Sequence, residues 1–189
     1  MSSRVVVERI ATEESLMQAA ASEDCAFVAQ FGSATRRCEA LAWRAIVRRE
    51  LGVETKIFYD DYGAPRVDIP NTYIGVSHSR EFVAVAFSDK PCAVDIEDAN
   101  RDFRKVASRY LSEQEMSLAE EGDLYAEMWC AKEALYKYYR KGRLDFVKHI
   151  SIVSHNSEES HFTATILDSA PIVVRIKRED NLVVALISE

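Results

Sequence analysis

The segment from Trp129 to Lys137 constrains the fold of this chain more than any other. It reads Trp-Cys-Ala-Lys-Glu-Ala-Leu-Tyr-Lys, a run of good helix formers that predicts an α-helix. Trp129, Glu133 and Lys137 recur every four residues and therefore form one stripe along that helix. An aromatic ring, an acid and a base are unusual on a core-facing stripe, but they suit a site that holds a metal ion and a phosphate together.

A second acidic element lies upstream, where Asp95 and Glu97 alternate with apolar residues in Ala-Val-Asp-Ile-Glu. In a β-strand this spacing of two points both carboxylates to the same face. Together with Glu133 they supply hard oxygen ligands of the kind that Mg²⁺ prefers. The alternative is a solvated strand face and a surface ion pair between Glu133 and Lys137. The apolar neighbours favour burial of the strand, and paired buried acids need a cation.

Two further segments have the chemistry of a phosphate site. The stretch Gly-Val-Ser-His-Ser ends a predicted strand, and its Ser77 and His78 can donate hydrogen bonds to an anion. Arg37 and Arg44 are seven residues apart on a predicted helix, so both guanidinium groups lie on one face and can grip a phosphate. The alternatives are an ordinary hairpin and a solvated basic helix face.

Composition excludes several classes of protein. The chain has 189 residues, of which 48% are hydrophobic, so it can bury a core as one large domain or two small fused halves. Its formal net charge of −7 argues against nucleic acid as the partner. The four cysteines show no metal-type spacing, which is typical of a reducing compartment, and no apolar run approaches a membrane span. We therefore expect a cytoplasmic protein without a membrane partner.

The order of predicted elements, strand, helices and then a small sheet, occurs twice without a residue-level repeat, which favours two similar halves, with residues 1–90 as the first domain and 91–189 as the second. The predicted fold is α+β: each half is a small antiparallel sheet packed with helices. Helices are predicted over 12–21, 34–50, 102–110, 112–121 and 123–140. Strands are predicted over 5–10, 55–59, 73–77, 82–87, 92–97, 150–153, 162–167, 172–177 and 182–187.

Taken in chain order, the blocks G-V-S-H-S, V-D-I-E and W-C-A-K-E-A-L-Y-K resemble the 4′-phosphopantetheinyl transferase superfamily. The resemblance covers residues 36–146 and is to the two-half, pseudo-dimeric type, which implies that a pseudo-two-fold relates the two α/β halves. It implies an enzyme of the holo-acyl-carrier-protein synthase kind. Such an enzyme transfers phosphopantetheine from coenzyme A to a serine of an acyl or peptidyl carrier protein, in fatty acid biosynthesis or secondary metabolism. Two alternatives are a degenerate relative that only binds coenzyme A or a carrier, and a Mg²⁺-dependent phosphoesterase.

The resemblance also implies roles for particular residues. The metal is expected to be Mg²⁺, with Mn²⁺ as an alternative, and its implied ligands are Asp95, Glu97 and Glu133. The implied catalytic residues are Glu133, Lys132 and Lys137. The implied coenzyme A contacts are Arg37, Arg44, Arg66, Ser77, His78, Lys132 and Lys137. The family's G-K-P block is Gly-Ala-Pro here, so Ala64 stands in place of a lysine and Arg66 is its candidate substitute.

Carrier proteins of this family's reactions present an acidic helix beside the target serine, so docking needs a local basic surface. The segment after the acidic strand is basic and predicted to be helical. Its candidate docking residues are Arg101, Arg104, Lys105 and Arg109. The alternative is a solvated helix face. We expect a monomer.

Overall fold

The computed structural model describes residues 3–188, which form an α+β fold of small antiparallel sheets packed with helices. The N-terminal elements are β1 (Arg4–Arg9), α1 (Glu13–Ala19), α2 (Ser22–Val28), α3 (Ala34–Leu51), β2 (Ile57–Tyr59), β3 (Pro65–Val67), β4 (Tyr73–Ser79) and β5 (Phe82–Ser88). The C-terminal elements are β6 (Cys92–Asp98), a 3₁₀ helix (Arg104–Arg109), α4 (Glu113–Gly122), α5 (Tyr125–Tyr139), β7 (Ile150–Asn156), β8 (His161–Ile166), β9 (Ile172–Glu179) and β10 (Leu182–Ser188).

The two larger sheets share one topological feature. In each, the first strand of the half pairs antiparallel with the last, β1 with β5 and β6 with β10. The sheets otherwise differ in size, with order β1-β5-β4 in the first and β6-β10-β9-β8-β7 in the second, and β2 and β3 form a separate hairpin. The predicted fold class is therefore confirmed, and the similarity of the halves is partial. The division at residue 90 stays a prediction.

Local sequence explains where the helices begin and end. The Ser33 side chain accepts a hydrogen bond from the N–H of Arg36 and caps α3, and Gly52 ends that helix with φ 113°. Helix α4 begins with a capping box, in which Ser112 and Glu115 satisfy each other's backbone N–H groups. The buried face of α3 packs on β5 through residues such as Ile46 and Val47.

Close packing of β4 against β6 joins the halves and positions the site. A Cβ atom on Gly75 would lie 3.1 Å from the Cα of Ala93 and 3.1 Å from the backbone N of Val94. Only glycine allows this approach without a shift of the backbone. Strands β4 and β6 therefore lie side by side although they belong to different sheets.

Several predicted boundaries were wrong. The helix predicted over 12–21 ends at Ala19, because Ala20 has extended backbone angles, and α2 follows as a separate helix that was not predicted. The helix predicted over 102–110 is a short 3₁₀ helix. The strand predicted over 55–59 begins at Ile57, and its partner β3 was missed because three residues are too few for a periodic signal. Within residues 3–188, no helix combines the length and the apolar character that a membrane span requires.

Candidate active site

Hydroxyl groups on β4 face the carboxylates on β6. The Ser77 Oγ donates to Asp95 Oδ1 at 2.8 Å, and the Ser79 Oγ donates to Glu97 Oε2 at 2.9 Å. Both pairs have the same offset of 18 residues, so the two strands run in the same direction and each serine stands beside one acid. The predicted common face of Asp95 and Glu97 is present, and this face turns toward the other half of the molecule.

Helix α5 brings the stripe predicted from the sequence to the same place. The Trp129 Nε1 donates to Glu97 Oε1 at 2.9 Å. The Lys137 Nζ lies 2.7 Å from Asp95 Oδ1 and 2.7 Å from Ser77 Oγ. Trp129, Glu133 and Lys137 thus face β6 together, as their spacing predicted.

A cavity of about 460 Å³ opens over these groups. It is lined by both acids of β6, by Glu133 and Lys137 of α5, and by Ser77 and His78 of β4; Trp43, Tyr59, Pro65 and Val76 complete the wall. Its position between the halves, with charged and aromatic walls, is that of a small-molecule site.

Burial and the Asp95 carboxylate raise the pKa of Glu133 to about 7. The Lys137 ammonium opposes this rise in the pKa but does not cancel it. The Asp95 Oδ2 atom is buried and has no hydrogen-bond partner among the described residues. A buried carboxylate oxygen without a partner is costly, so a further donor or cation beside Lys137 would stabilise the site.

The donor set therefore suits a hard cation: carboxylates, one of them with an unpaired buried oxygen. Within residues 3–188, however, no group of three or more His, Cys, Asp or Glu side chains is already arranged as a metal site. The Lys137 ammonium occupies one oxygen of Asp95 instead.

Lys132 points elsewhere. Its side chain is fully buried on another face of α5, where Nζ donates to Glu115 Oε2 at 2.8 Å and to the carbonyl oxygens of Phe146 at 2.9 Å and Ile150 at 2.8 Å. Burial lowers the pKa of Lys132, and Glu115 opposes that shift. The structure does not bring Lys132 to the cavity, so we leave it out of the proposed site.

The predicted arginines of α3 bind acids of the preceding helices. Arg37 pairs with Glu13 and donates to the Phe31 carbonyl at 2.8 Å. Arg44 is buried, pairs with Asp24 and stacks over aromatic rings. Neither lines the cavity beside His78, so the structure favours an anchoring role for both.

The remaining predicted phosphate contacts are closer to solvent. His78 is half exposed and lies 3.2 Å from Glu39 Oε1 on α3. Arg66 lies on β3 outside that cavity, where its Nε donates to Asp60 Oδ2 at 3.0 Å.

The four candidate docking residues flank the acidic strand but do not share a helix face. Arg101 precedes the 3₁₀ helix and lies 3.5 Å from Glu97 Oε1, while Arg104 pairs with Glu120. Lys105 pairs with Asp102 at 2.9 Å, and Arg109 is exposed at the end of the 3₁₀ helix. The α-helix predicted for this segment would bring most of them to one face, but the segment is a 3₁₀ helix with three residues per turn, which turns them to different sides.

The sequence analysis did not predict three features near the site: Ser79, Glu115 and the hydrogen bond of Trp129. The spacing of two between Ser77 and Ser79 matches that of the acids and could have indicated facing strands. The Ser-x-x-Glu pattern of the capping box could have drawn attention to Glu115.

Comparison with known proteins identifies the family of this chain. The family model of the 4′-phosphopantetheinyl transferase superfamily matches residues 91–187, half of the chain, and the chain therefore belongs to that superfamily. It is 29% identical over 109 residues to the 4′-phosphopantetheinyl transferase Sfp of Bacillus subtilis (strain 168), covering 52% of this chain and 49% of that protein. It is 34% identical over 89 residues to 4′-phosphopantetheinyl transferase ffp of Bacillus subtilis, covering 43% and 40%. The matched stretch thus spans about half or less of these relatives.

Proposed function

We propose that this protein transfers 4′-phosphopantetheine from coenzyme A to a serine of an apo acyl or peptidyl carrier protein and releases adenosine 3′,5′-bisphosphate. The observation that carries the proposal is the meeting of Asp95, Glu97, Glu133 and Lys137 around one cavity between the halves. These are the family-motif positions of a chain that belongs to the superfamily. Holo-acyl-carrier-protein synthase activity is the corresponding subtype.

The reaction needs a nucleophile, a base and a stabilised leaving group. The serine oxygen of the carrier attacks the β-phosphorus of the coenzyme A diphosphate, and the bond from that phosphorus to the bridging oxygen breaks. The bridging oxygen leaves with adenosine 3′,5′-bisphosphate. Positioning and electrostatics dominate such a transfer.

The charged and titratable residues of the cavity have separate roles in this reaction. Lys137 offsets negative charge on the phosphate oxygens, and His78 contacts a phosphate of the nucleotide at the rim. Asp95, Glu97 and Glu133 would hold Mg²⁺, with Mn²⁺ as an alternative. The bound ion supplies charge neutralisation of the diphosphate.

Glu133 is our first choice as the base that takes the serine proton. A pKa of about 7 in the metal-free site is well placed for general-base catalysis near neutral pH. Ligation and proton transfer compete for this carboxylate, so the base acts directly or through a bound water.

The test is a mass measurement on the carrier. The protein, coenzyme A, Mg²⁺ and an apo-carrier are incubated, and the carrier should gain one phosphopantetheine. A carrier whose target serine is alanine is the matched control and should gain nothing. Carriers of fatty acid, polyketide and peptide synthases should be compared, since the site does not distinguish them.

Ala64, which stands where the family has a lysine, favours a second candidate, a non-catalytic binder of coenzyme A or carrier. That candidate predicts binding without a mass gain. A phosphoesterase would instead release product from coenzyme A without any carrier. Ala64→Lys should tighten coenzyme A if the missing ammonium matters.

A further inference from the structure

Both carboxylate oxygens of Glu97 are anchored by donors from other elements. Oε1 accepts from the indole N–H of Trp129 at 2.9 Å and lies 3.5 Å from the Arg101 guanidinium. Oε2 accepts from the Ser79 hydroxyl at 2.9 Å. A glutamate carboxylate can rotate about its last side-chain bond, so these donors determine the orientation of the Glu97 carboxylate and which of its lone pairs face the cavity.

The indole is itself packed among three rings, two from the ends of the 3₁₀ helix and one from the segment after α5. The Trp129 ring centroid lies 5.8 Å from that of Phe103, 5.1 Å from Tyr110 and 5.9 Å from Phe146. Phe103 and Tyr110 are almost fully buried. Close packing on several sides restricts the orientation of the indole and therefore fixes the direction of its N–H group.

The segment that carries Phe146 has its own anchor. The buried Lys132 ammonium donates to the Phe146 carbonyl at 2.9 Å while it pairs with Glu115. A connected path of contacts thus runs from the buried ion pair through two aromatic rings to Glu97.

We propose that Trp129 is a positioning residue that fixes the Glu97 carboxylate for a divalent cation, and that Phe146 supports it. This rests on the proposed function, since Glu97 is there assigned as a ligand. Groups that hydrogen-bond to a metal-binding side chain orient it, and their loss typically costs about 10- to 100-fold in metal affinity or activity.

Trp129→Phe is the decisive variant. Phenylalanine keeps a six-membered aromatic ring in the cluster but lacks the five-membered ring that carries the N–H donor. Tyr110→Phe is the matched control. It alters the same cluster and removes hydrogen bonds to the Phe103 and Tyr125 carbonyls, but it touches no carboxylate. Two quantities are measured: the half-saturating Mg²⁺ concentration for transfer, and the rise in melting temperature of the free protein with added Mg²⁺.

For Trp129→Phe we expect the half-saturating Mg²⁺ concentration to rise about tenfold or more. The Mg²⁺-induced rise in melting temperature should need correspondingly more metal. Tyr110→Phe should melt lower without Mg²⁺ and keep the wild-type Mg²⁺ dependence. If Trp129→Phe fails to fold, Phe146→Leu, which keeps the indole N–H and removes its support, should shift the Mg²⁺ dependence in the same direction.

Equal Mg²⁺ dependence in wild type, Trp129→Phe and Phe146→Leu overturns the inference while the proposed function stands. A wild type that Mg²⁺ stabilises but that modifies no carrier overturns the proposed function, and the melting measurement still decides the role of Trp129. A wild type that shows neither effect overturns both.

Discussion

Helix α5 carries two lysines five residues apart, and they lie in opposite kinds of surroundings. Lys132 is fully buried and pairs with Glu115 beneath the helix. Lys137 keeps 34% of its side chain exposed and pairs with Asp95 at the rim of the cavity. Five residues turn a helix by about 140° beyond a full turn, so the two ammonium groups cannot serve one site. One face of the helix packs into the core, and the other lines the cavity of the proposed active site.

The largest expected effect comes from a comparison of two acids on strand β6: Asp95, which lines the cavity, and Asp98, which does not. Asp95→Ala should lower the rate of carrier modification about 1,000-fold or more, equivalent to ~4 kcal/mol, because it removes a cation ligand and the partner of Lys137. The rate and the Mg²⁺-induced rise in melting temperature should both be measured. Asp98→Asn, on the same strand but paired with Arg80, should leave both unchanged. A near-wild-type rate in Asp95→Ala would remove this residue from the site.

The second prediction compares the two lysines by stability. Lys132→Met should lower the free energy of unfolding by about 3–5 kcal/mol, because it leaves Glu115 buried and unpaired. Lys137→Met should lower it by less, because the Lys137 side chain is 34% exposed and water can replace its ammonium beside Asp95, while transfer slows. Denaturant unfolding measures both.

A double variant sharpens this comparison. Glu115→Gln combined with Lys132→Met removes the unpaired charge and should recover part of the loss, although Glu115 also accepts from the N–H of Ile152 and caps α4. Equal losses of stability in Lys132→Met and Lys137→Met would show that the two faces of α5 do not differ in the way described.

The third prediction uses the raised pKa of Glu133. Its folded-state pKa of about 7 exceeds the ordinary 4.5, so protonated Glu133 favours the folded state. That contribution is fully present below pH 4.5 and is lost as the pH rises through 7. After allowance for partial exposure it is about 2 kcal/mol.

Metal-free protein should therefore become less stable between pH 5 and 8, and Glu133→Gln should show a smaller decline. Unfolding with a chelator present, across this pH range, measures the difference. The same pH dependence in the two proteins would mean that Glu133 does not titrate in this range.

Periodicity predicted the parts of the site that lie within one element. Asp95 and Glu97 share a strand face because side chains alternate, and Trp129, Glu133 and Lys137 share a helix face because every fourth residue does. Most element types and the α+β class followed from the same patterns. A spacing, however, says which residues lie together and not what they face.

The sequence pattern could not predict ion-pair and hydrogen-bond partners that lie far apart along the chain. Arg37 and Arg44 do share helix α3, but their partners lie far earlier in the chain: Glu13 is 24 residues before Arg37, and Asp24 is 20 residues before Arg44. Lys132 likewise binds groups that are distant along the chain, in α4, at Phe146 and in β7. The order of strands in the sheets and the approach of β4 to β6 likewise depend on tertiary packing, which no local signal encodes.

The smallest expected effect concerns the basic segment after β6, compared with an exposed lysine on β9 of the same sheet. Arg104→Glu together with Lys105→Glu should raise the KM for an acidic carrier about three- to tenfold at low salt and leave the KM for coenzyme A unchanged. Opposed charges steer association, and exposed charges are screened beyond about 8–10 Å at physiological ionic strength, so the effect should shrink as salt is added. Both side chains are more than half exposed, so they can meet a partner, although each already pairs with a neighbouring acid. Lys177→Glu on β9, a similarly exposed site, is the matched control and should change neither KM. If the double variant and this control have the same carrier KM at low salt, the carrier docks on another surface.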